Sequence, residues 1–206
     1  EACDAIDAGL VQISTDYVFD GRDGPYGEKA QPHPLSFYGS LKLESERLVL
    51  EAGIKGIVLR TLWLYGYIPG ARRNLVTWPL AEMSAQRSLY LVDDQWGNPT
   101  YVHDLARALL ELCHNQVTGL FHMGGSAYMT RYQMAVEVAR FFGLDPNLVH
   151  STTTATIGQK APRPLRSGLR SEALNTLLGR SPMDFTQGLQ HMANDRHFRQ
   201  DFLSLI

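Results

Sequence analysis

The chain has 206 residues, 44% hydrophobic and 19% charged, which is typical of a globular protein with one sizeable core or slightly more. Its 19 basic and 21 acidic residues leave a formal net charge of −2, so no strong field favours nucleic acid or an anionic membrane surface. Arg60 interrupts the longest apolar stretch well short of membrane length. We therefore expect neither a nucleic-acid partner nor a membrane span.

The two cysteines, Cys3 and Cys113, lie in helix-like segments, which favours packed thiols over a disulfide. Packed thiols fit a reducing compartment and predict a cytoplasmic protein. The seven histidines and two cysteines lack the close spacing of metal ligands, so we predict no metal site.

The first half of the chain alternates between helical and strand patterns. Gly9 and Gly53 are predicted to end helices. Ser36 is predicted to cap the helix that Gly53 ends, and Leu41, Leu48 and Val49 are expected on the buried face of that helix. The predicted elements are a helix over residues 1–9, a buried strand over 10–14, a surface loop over 15–36, a helix over 36–53 and a buried strand over 56–61.

The second half keeps the alternation only in part. The predicted elements are a helix over 74–86 interrupted by Pro79, a strand over 88–92, a loop over 93–101, a helix over 102–115, a strand over 119–125, a helix over 130–145 capped by Thr130, a loop over 146–172, and helices over 171–178 and 184–203. Alternation predicts a parallel α/β sheet, and the departures from it predict a smaller appended lobe.

Tyr38 and Lys42 stand four residues apart on a predicted helix, so their side chains share one face. A phenol can act as an acid or base near neutrality when a fixed ammonium stabilises its phenolate. The pair is therefore a candidate for proton transfer, although pairs at this spacing also simply decorate helices.

Two hydroxyls, Ser14 and Thr15, end the strand that precedes this helix. Ligands of parallel sheets bind at the carboxyl ends of strands, where a hydroxyl can bond a substrate carbonyl while Tyr38 supplies a proton to the same oxygen. The alternative is that each hydroxyl bonds its own backbone.

Five segments in order carry a family resemblance: "ISTDYVFDG", "PYGE", "PLSFYGSLKLESE", "LRTLWLYG" and "DDQWGNPTYVHDLA". Over residues 1 to about 180 the chain resembles the extended short-chain dehydrogenase/reductase superfamily, within it the dTDP-4-dehydrorhamnose reductase branch. The resemblance implies the C-terminal part of a Rossmann-like doubly wound parallel sheet plus a small mixed substrate-binding lobe. It also implies reduction of the 4-keto group of a nucleotide sugar by NADPH or NADH.

The resemblance implies roles for individual residues. Thr15 orients the substrate carbonyl, Tyr38 donates the proton, and Lys42 holds the nicotinamide ribose and lowers the pKa of the tyrosine. The residues implied to touch the cofactor are Ser14, Tyr38 and Lys42, and those implied to touch the substrate are Thr15, Trp63, Asn74 and Arg163. From the residues alone, Trp63 also fits a core position and Asn74 also fits a helix cap.

The family's glycine-rich turn, which holds the cofactor pyrophosphate, has no counterpart in the printed sequence. About four strands of the family sheet are thus expected to be absent before residue 1, which would leave the strand over 10–14 with an unpaired edge. We expect a fragment of a longer reductase, a chain completed by a partner that supplies these strands, or a degenerate binding module. Residues 1–62 are then the second half of the Rossmann-like domain, and residues 63–206 are mostly the substrate lobe, with strand 118–124 returning to the sheet.

Two other functions remain open. The segment "MTRYQMAVEVARFFGLDPNLV" also resembles the non-catalytic beta subunit of methionine adenosyltransferase, although retention of Thr15, Tyr38 and Lys42 favours an enzyme. A different nucleotide-sugar reductase or epimerase of the same superfamily fits equally well. The resemblance further implies a homodimer built on the helix that carries Tyr38 and Lys42.

Overall fold

A computed structural model describes residues 2–202 of the chain. Its strands are β1 Leu10–Thr15, β2 Gly56–Thr61, β3 Leu64–Tyr65, β4 Leu89–Val92, β5 Trp96–Gly97, β6 Thr100–Tyr101, β7 Gly119–Met123, β8 Met129–Thr130 and β9 Val149–Thr152. Its helices are α1 Ala2–Ala5, α2 Phe37–Glu51, α3 Thr77–Ser84, α4 Val102–His114, α5 Arg131–Phe141, α6 Thr154–Ile157, α7 Glu172–Leu178, α8 Phe185–Asn194 and α9 Arg196–Asp201.

The main sheet has the order β1-β2-β7 and is parallel throughout, which confirms the predicted α/β class. All six residues of the central strand β2 are buried, as expected for a strand covered on both faces. Thr15 and Thr61 are opposite each other in the register, so the carboxyl ends of β1 and β2 are level. Within residues 2–202, β1 pairs with β2 alone.

Three two-stranded sheets accompany the main sheet. The pairs β3–β6 and β4–β9 are parallel, and the pair β5–β8 is antiparallel. The largest apolar cluster lies around α3, α5 and α8, and we call it the lobe core. Its members include Val76, Leu80, Met83, Met134, Val138, Phe185, Leu189 and Phe198. A second cluster packs α4 and α7 against β2 and β7.

The long regular elements match the sequence-based expectations, as do the shorter β4 and α7, but several other short elements were not expected. The segments 93–101 and 146–172 were expected to be loops but contain β5, β6, β9 and α6. The helix expected over 184–203 is divided at Asp195, which caps α9 through the Phe198 amide, and residue 203 lies outside the described residues. Pro79 does not interrupt α3, because it occupies the first turn, where its missing N–H has no helical acceptor.

Three further expectations were wrong. The first helix ends at Ala5, before Asp7 adopts a left-handed φ of 49°, and its expected first residue, Glu1, lies outside the described residues. On α2, Leu41 and Leu48 are exposed, and the buried positions are Gly39, Glu46 and Val49. Among the two cysteines, Cys113 is exposed rather than packed. Along residues 2–202, no helix combines the length and apolar character needed to cross a bilayer.

Candidate active site

Thr15 ends β1 and caps the 3-10 turn Asp16–Val18. Its Oγ1 accepts a hydrogen bond from the backbone N–H of Tyr17 at 3.2 Å and donates to Oδ1 of Asp16 at 3.1 Å. The hydroxyl therefore makes the local bonds expected of a capping residue, yet it also faces the cleft described below.

The helix α2 brings Tyr38 and Lys42 to the end of β1. Ser36 caps α2 by accepting from the Gly39 N–H at 3.2 Å. A Cβ on Gly39 would lie 2.2 Å from the carbonyl oxygen of Tyr17, so only glycine permits this approach. The Tyr38 ring, 52% exposed, consequently lies edge-on to the Tyr17 ring, with 5.9 Å between centroids.

Lys42 is anchored to the strand rather than extended into solvent. Its Nζ donates to the carbonyl oxygen of Ile13 at 2.8 Å. An ammonium has three donors, so this contact fixes the position of the charge and leaves two donors for a ligand.

These groups line one cleft of about 330 Å³ at the carboxyl ends of β1 and β2. It contains five of the seven predicted site residues: Ser14, Thr15, Tyr38, Lys42 and Trp63. The other lining residues are Ile13, Asp16, Tyr17, Thr61, Leu62 and Leu64. The structure thus assembles the predicted proton-transfer groups at one point.

The Ser14 hydroxyl is occupied by a buried polar network behind the cleft. It donates to Glu46, and the same carboxylate forms a bidentate ion pair with Arg60, at 2.9 Å from Nε and 2.6 Å from Nη2. The Nη1 atom of Arg60 donates to Nε2 of His122 at 3.2 Å. The predicted cofactor contact of Ser14 therefore has a competing partner inside the protein.

His122 ends this network as a neutral imidazole. Burial, and secondarily the charge of Arg60, lower the pKa of His122 to about 3. Because Nε2 accepts from Arg60, the proton lies on Nδ1, which donates to the carbonyl oxygen of Tyr26 at 3.1 Å.

Asp16 was not singled out from the sequence, although it directly follows the two strand-end hydroxyls. It is 1% exposed, and burial raises its pKa to about 6 despite hydrogen bonds from Ser167 and Thr15. A carboxyl with a pKa near neutrality in a cleft is a frequent mark of a functional site.

Arg131 was also missed, because only the tertiary fold brings it against Trp63, a residue that lines the cleft. It is the first residue of α5, and its guanidinium lies 4.5 Å from the ring centroid of Trp63. Its Nε donates to the side-chain oxygen of Gln95 at 3.2 Å. Burial lowers the pKa of Arg131, and the neighbouring charge of Arg163 acts in the same direction.

Asn74 and Arg163 lie outside this cleft. Asn74 lines a neighbouring cleft of about 400 Å³, which shares only Leu64 with the first. Its side chain accepts from the amides of Val76 and Thr77 and donates to Gly66, as a helix cap does. Arg163 is exposed on its loop.

The Thr61 hydroxyl is the feature of the cleft that points to a ligand. It is buried and has no hydrogen-bond partner among the described residues. Together with the free donors of Lys42, it fits a ligand that carries carbonyl or hydroxyl oxygens, as a nicotinamide nucleoside and a sugar both do. Over residues 2–202, no three His, Cys, Asp or Glu side chains are grouped as metal ligands.

Several known proteins are similar to this chain in sequence and in fold. Methionine adenosyltransferase 2 subunit beta of Bos taurus is 35% identical over 179 residues, covering 84% of the chain and 53% of that protein. The dTDP-4-dehydrorhamnose reductase of Mycolicibacterium smegmatis is 34% identical over 194 residues, covering 92% and 58%.

Among solved structures, dTDP-4-dehydrorhamnose reductase of Bacillus anthracis in complex with NADP superimposes with a TM-score of 0.85 at 30% identity, covering 93% of the chain and 67% of that structure. The chain spans just over half the length of the two relatives named above. The RmlD substrate binding domain model matches residues 1–198, and the chain therefore belongs to that family.

Proposed function

We propose that this chain carries the proton-transfer helix and the substrate lobe of an NADPH-dependent reductase that acts on the 4-keto group of a nucleotide sugar such as dTDP-4-dehydrorhamnose. The observation that supports the proposal is the convergence of Thr15, Tyr38 and Lys42 on one cleft. In this proposal residues 1–62 belong to the cofactor domain, and residues 63–206 are mostly the substrate lobe, from which strand 118–124 returns to the sheet.

Reduction of a ketone adds a hydride to carbon and a proton to oxygen. The nicotinamide, when bound, supplies the hydride. Tyr38 gives its phenolic proton to the ketone oxygen, and the Lys42 ammonium stabilises the resulting phenolate while a second donor holds the nicotinamide ribose. Ser14 is the remaining proposed cofactor contact. Because its hydroxyl donates to Glu46, its oxygen contacts the cofactor as a hydrogen-bond acceptor.

The Thr15 hydroxyl orients the ketone. It donates to Asp16 in the structure, and rotation about its Cβ–Oγ bond turns the same O–H toward the cleft. A hydroxyl donor aimed at the ketone oxygen stabilises the negative charge that develops there. Asp16, which also accepts a hydrogen bond from Ser167, is the acceptor that the Thr15 hydroxyl leaves when it turns toward the cleft.

The sugar lies against Trp63, whose other face is covered by Arg131. Arg163 lies close enough to Arg131 for its charge to lower the pKa of Arg131. It supplies positive charge for the diphosphate of the nucleotide. Asn74 approaches the nucleotide from the adjoining cleft, with its side chain already engaged as a cap.

The same proposal includes a cytoplasmic location and an assembly. Phe37, Leu41 and Leu48 form an exposed apolar stripe on α2, which fits a homodimer contact. A second chain that supplies strands beside β1 is the alternative partner.

A second candidate is a non-catalytic regulatory subunit, because the bovine beta subunit matches the chain at 35% identity, close to the 34% of the Mycolicibacterium smegmatis reductase. In that case the cleft binds a ligand without turnover. Tyr38 separates the two candidates, since only the reductase needs its proton.

The test compares Tyr38→Phe with Tyr90→Phe, a matched change at an exposed tyrosine on β4. NADPH binding is followed first by nicotinamide fluorescence, and NADPH oxidation is then followed with dTDP-4-dehydrorhamnose. We expect Tyr38→Phe to lower kcat by about 10²- to 10⁴-fold with little change in NADPH affinity, and Tyr90→Phe to change neither. Full turnover by Tyr38→Phe, or NADPH binding by the unmodified chain without turnover, contradicts the reductase.

A further inference from the structure

Within residues 2–202, Thr61 and Tyr128 carry buried hydroxyls without a partner, and of these two only Thr61 lines the cleft. Ser14 donates to Glu46, Ser167 donates to Asp16, and Thr100 donates to the carbonyl oxygen of Asn98 at 3.1 Å. Thr61 is 4% exposed, and within residues 2–202 its Oγ1 has no partner. The fold has satisfied its neighbours and left this hydroxyl unpaired.

An unpaired buried hydroxyl is costly in the central strand of a sheet. In β2, Ile57 and Leu59 are buried and apolar, and the buried Arg60 has Glu46 as its partner. Valine has nearly the shape of threonine and would fill the position without leaving a polar atom unsatisfied. The presence of threonine therefore needs a reason outside the folding of the chain.

The register places Thr61 beside the proposed chemistry. It is opposite Thr15 across two parallel strands, and residues in register on neighbouring strands point to the same face. Both side chains line the cleft that contains Tyr38 and Lys42. A ligand that reaches Thr15 thus passes within range of the strand end that carries Thr61.

We propose that the Thr61 hydroxyl binds the ligand of this cleft, by a hydrogen bond to a carbonyl or hydroxyl oxygen next to the one held by Thr15. This inference rests on the proposed function for the identity of the ligand. The oxygen belongs either to the nicotinamide half of the cofactor or to the sugar, and the two are separated by testing each alone.

The experiment pairs ligand affinity with stability in Thr61→Val, Thr61→Ser and Thr100→Val. Thr100 is the matched control, because its buried hydroxyl is satisfied by Asn98 and by the Gly125 amide at 3.2 Å. NADPH and dTDP-rhamnose are titrated separately, and Tm is measured without ligand.

We expect Thr61→Val to keep or raise Tm while weakening the affinity for one of the two probes about tenfold, the loss typical of one hydrogen bond. Thr61→Ser retains the affinity, and Thr100→Val lowers Tm. The probe that is weakened identifies the source of the oxygen.

Two results overturn the inference alone: a Tm for Thr61→Val lowered as in Thr100→Val, which makes the hydroxyl structural, or unchanged affinity for both probes. Failure of the unmodified chain to bind dTDP-rhamnose, the probe for the substrate lobe that it carries, overturns the proposed function, and this inference with it.

Discussion

The buried polar network behind the cleft and the lobe core are stabilised by different interactions. At the cleft and behind it, five buried residues are polar or charged, and each depends on a named partner: Ser14, Asp16, Glu46, Arg60 and His122. The lobe core around α3, α5 and α8 is almost wholly apolar and gains from each carbon removed from water. A polar interior is stable only while every partner is present, whereas an apolar one loses stability in proportion to volume removed.

Breaking the ion pair behind the cleft tests this contrast most strongly. Glu46→Ala leaves the Arg60 guanidinium buried without its carboxylate, and we expect a loss of about 3 to 5 kcal/mol in the free energy of unfolding. Glu44→Ala, on the same helix, removes an exposed pair with Arg47 and should have little effect. Urea unfolding of both variants provides the measurement, and equal losses would contradict the comparison.

The corresponding change in the lobe core is Leu189→Ala. Leu189 is fully buried, so we expect a loss of about 2 to 5 kcal/mol that depends on how far the cavity collapses. Leu110→Ala, at an exposed position of α4, is the control. Ligand affinity of the folded Leu189→Ala protein should match that of the unmodified chain, since Leu189 does not line the cleft. A parallel loss of affinity would show that the two regions are coupled.

Asp16→Asn is expected to stabilise the chain at neutral pH. The folded state raises the pKa of Asp16 from 3.8 to about 6, so between these values it binds a proton more tightly than the unfolded state does. The stabilisation that this proton contributes is complete below pH 3.8 and is lost as the pH rises through 6, which makes the ionised carboxylate a cost of up to about 3 kcal/mol at pH 7. Tm at pH 7 should therefore rise in the variant.

The pH dependence of the same variant sharpens the test, because the pKa of His122 is shifted in the opposite direction and its titration changes stability with the opposite dependence on pH. Its folded pKa of about 3 lies below the ordinary 6.5, so its contribution is complete above pH 6.5 and is lost as the pH falls toward 3. In the unmodified chain the two slopes partly cancel. Relative to it, Asp16→Asn should gain stability progressively from pH 4 to 6; a constant difference across that range would rule out titration of Asp16.

The smallest expected effect concerns the helix that joins the two regions. Thr130 and Gln133 form a reciprocal cap at the start of α5, where Arg131 covers Trp63. Thr130→Ala should cost about 1 kcal/mol and loosen the guanidinium from the indole. Thermal unfolding measures the loss of stability, and tryptophan fluorescence measures the contact between Arg131 and Trp63. A lower Tm with unchanged fluorescence would show that the cap of α5 does not affect this contact beside the cleft.

Prediction from sequence succeeded where a pattern is long or tied to chemistry. The elements β1, β2, α2 and α4 follow from buried runs, caps and periodicity, and Tyr38 with Lys42 follows from helical spacing. It failed for β5, β6 and β8, because two-residue strands have no period, and for β9, whose partner β4 lies some sixty residues earlier. Arg131 and Thr61 were missed for the same reason: their roles depend on which distant residues the fold brings near them.

Gly39 limits how this site can vary. Any Cβ there would overlap the Tyr17 carbonyl oxygen and push the first turn of α2, with Tyr38, away from the end of β1. In a saturation library at this codon, selection for function should return glycine almost exclusively. The residue type beside the candidate proton donor is thus determined by how closely α2 must approach the end of β1.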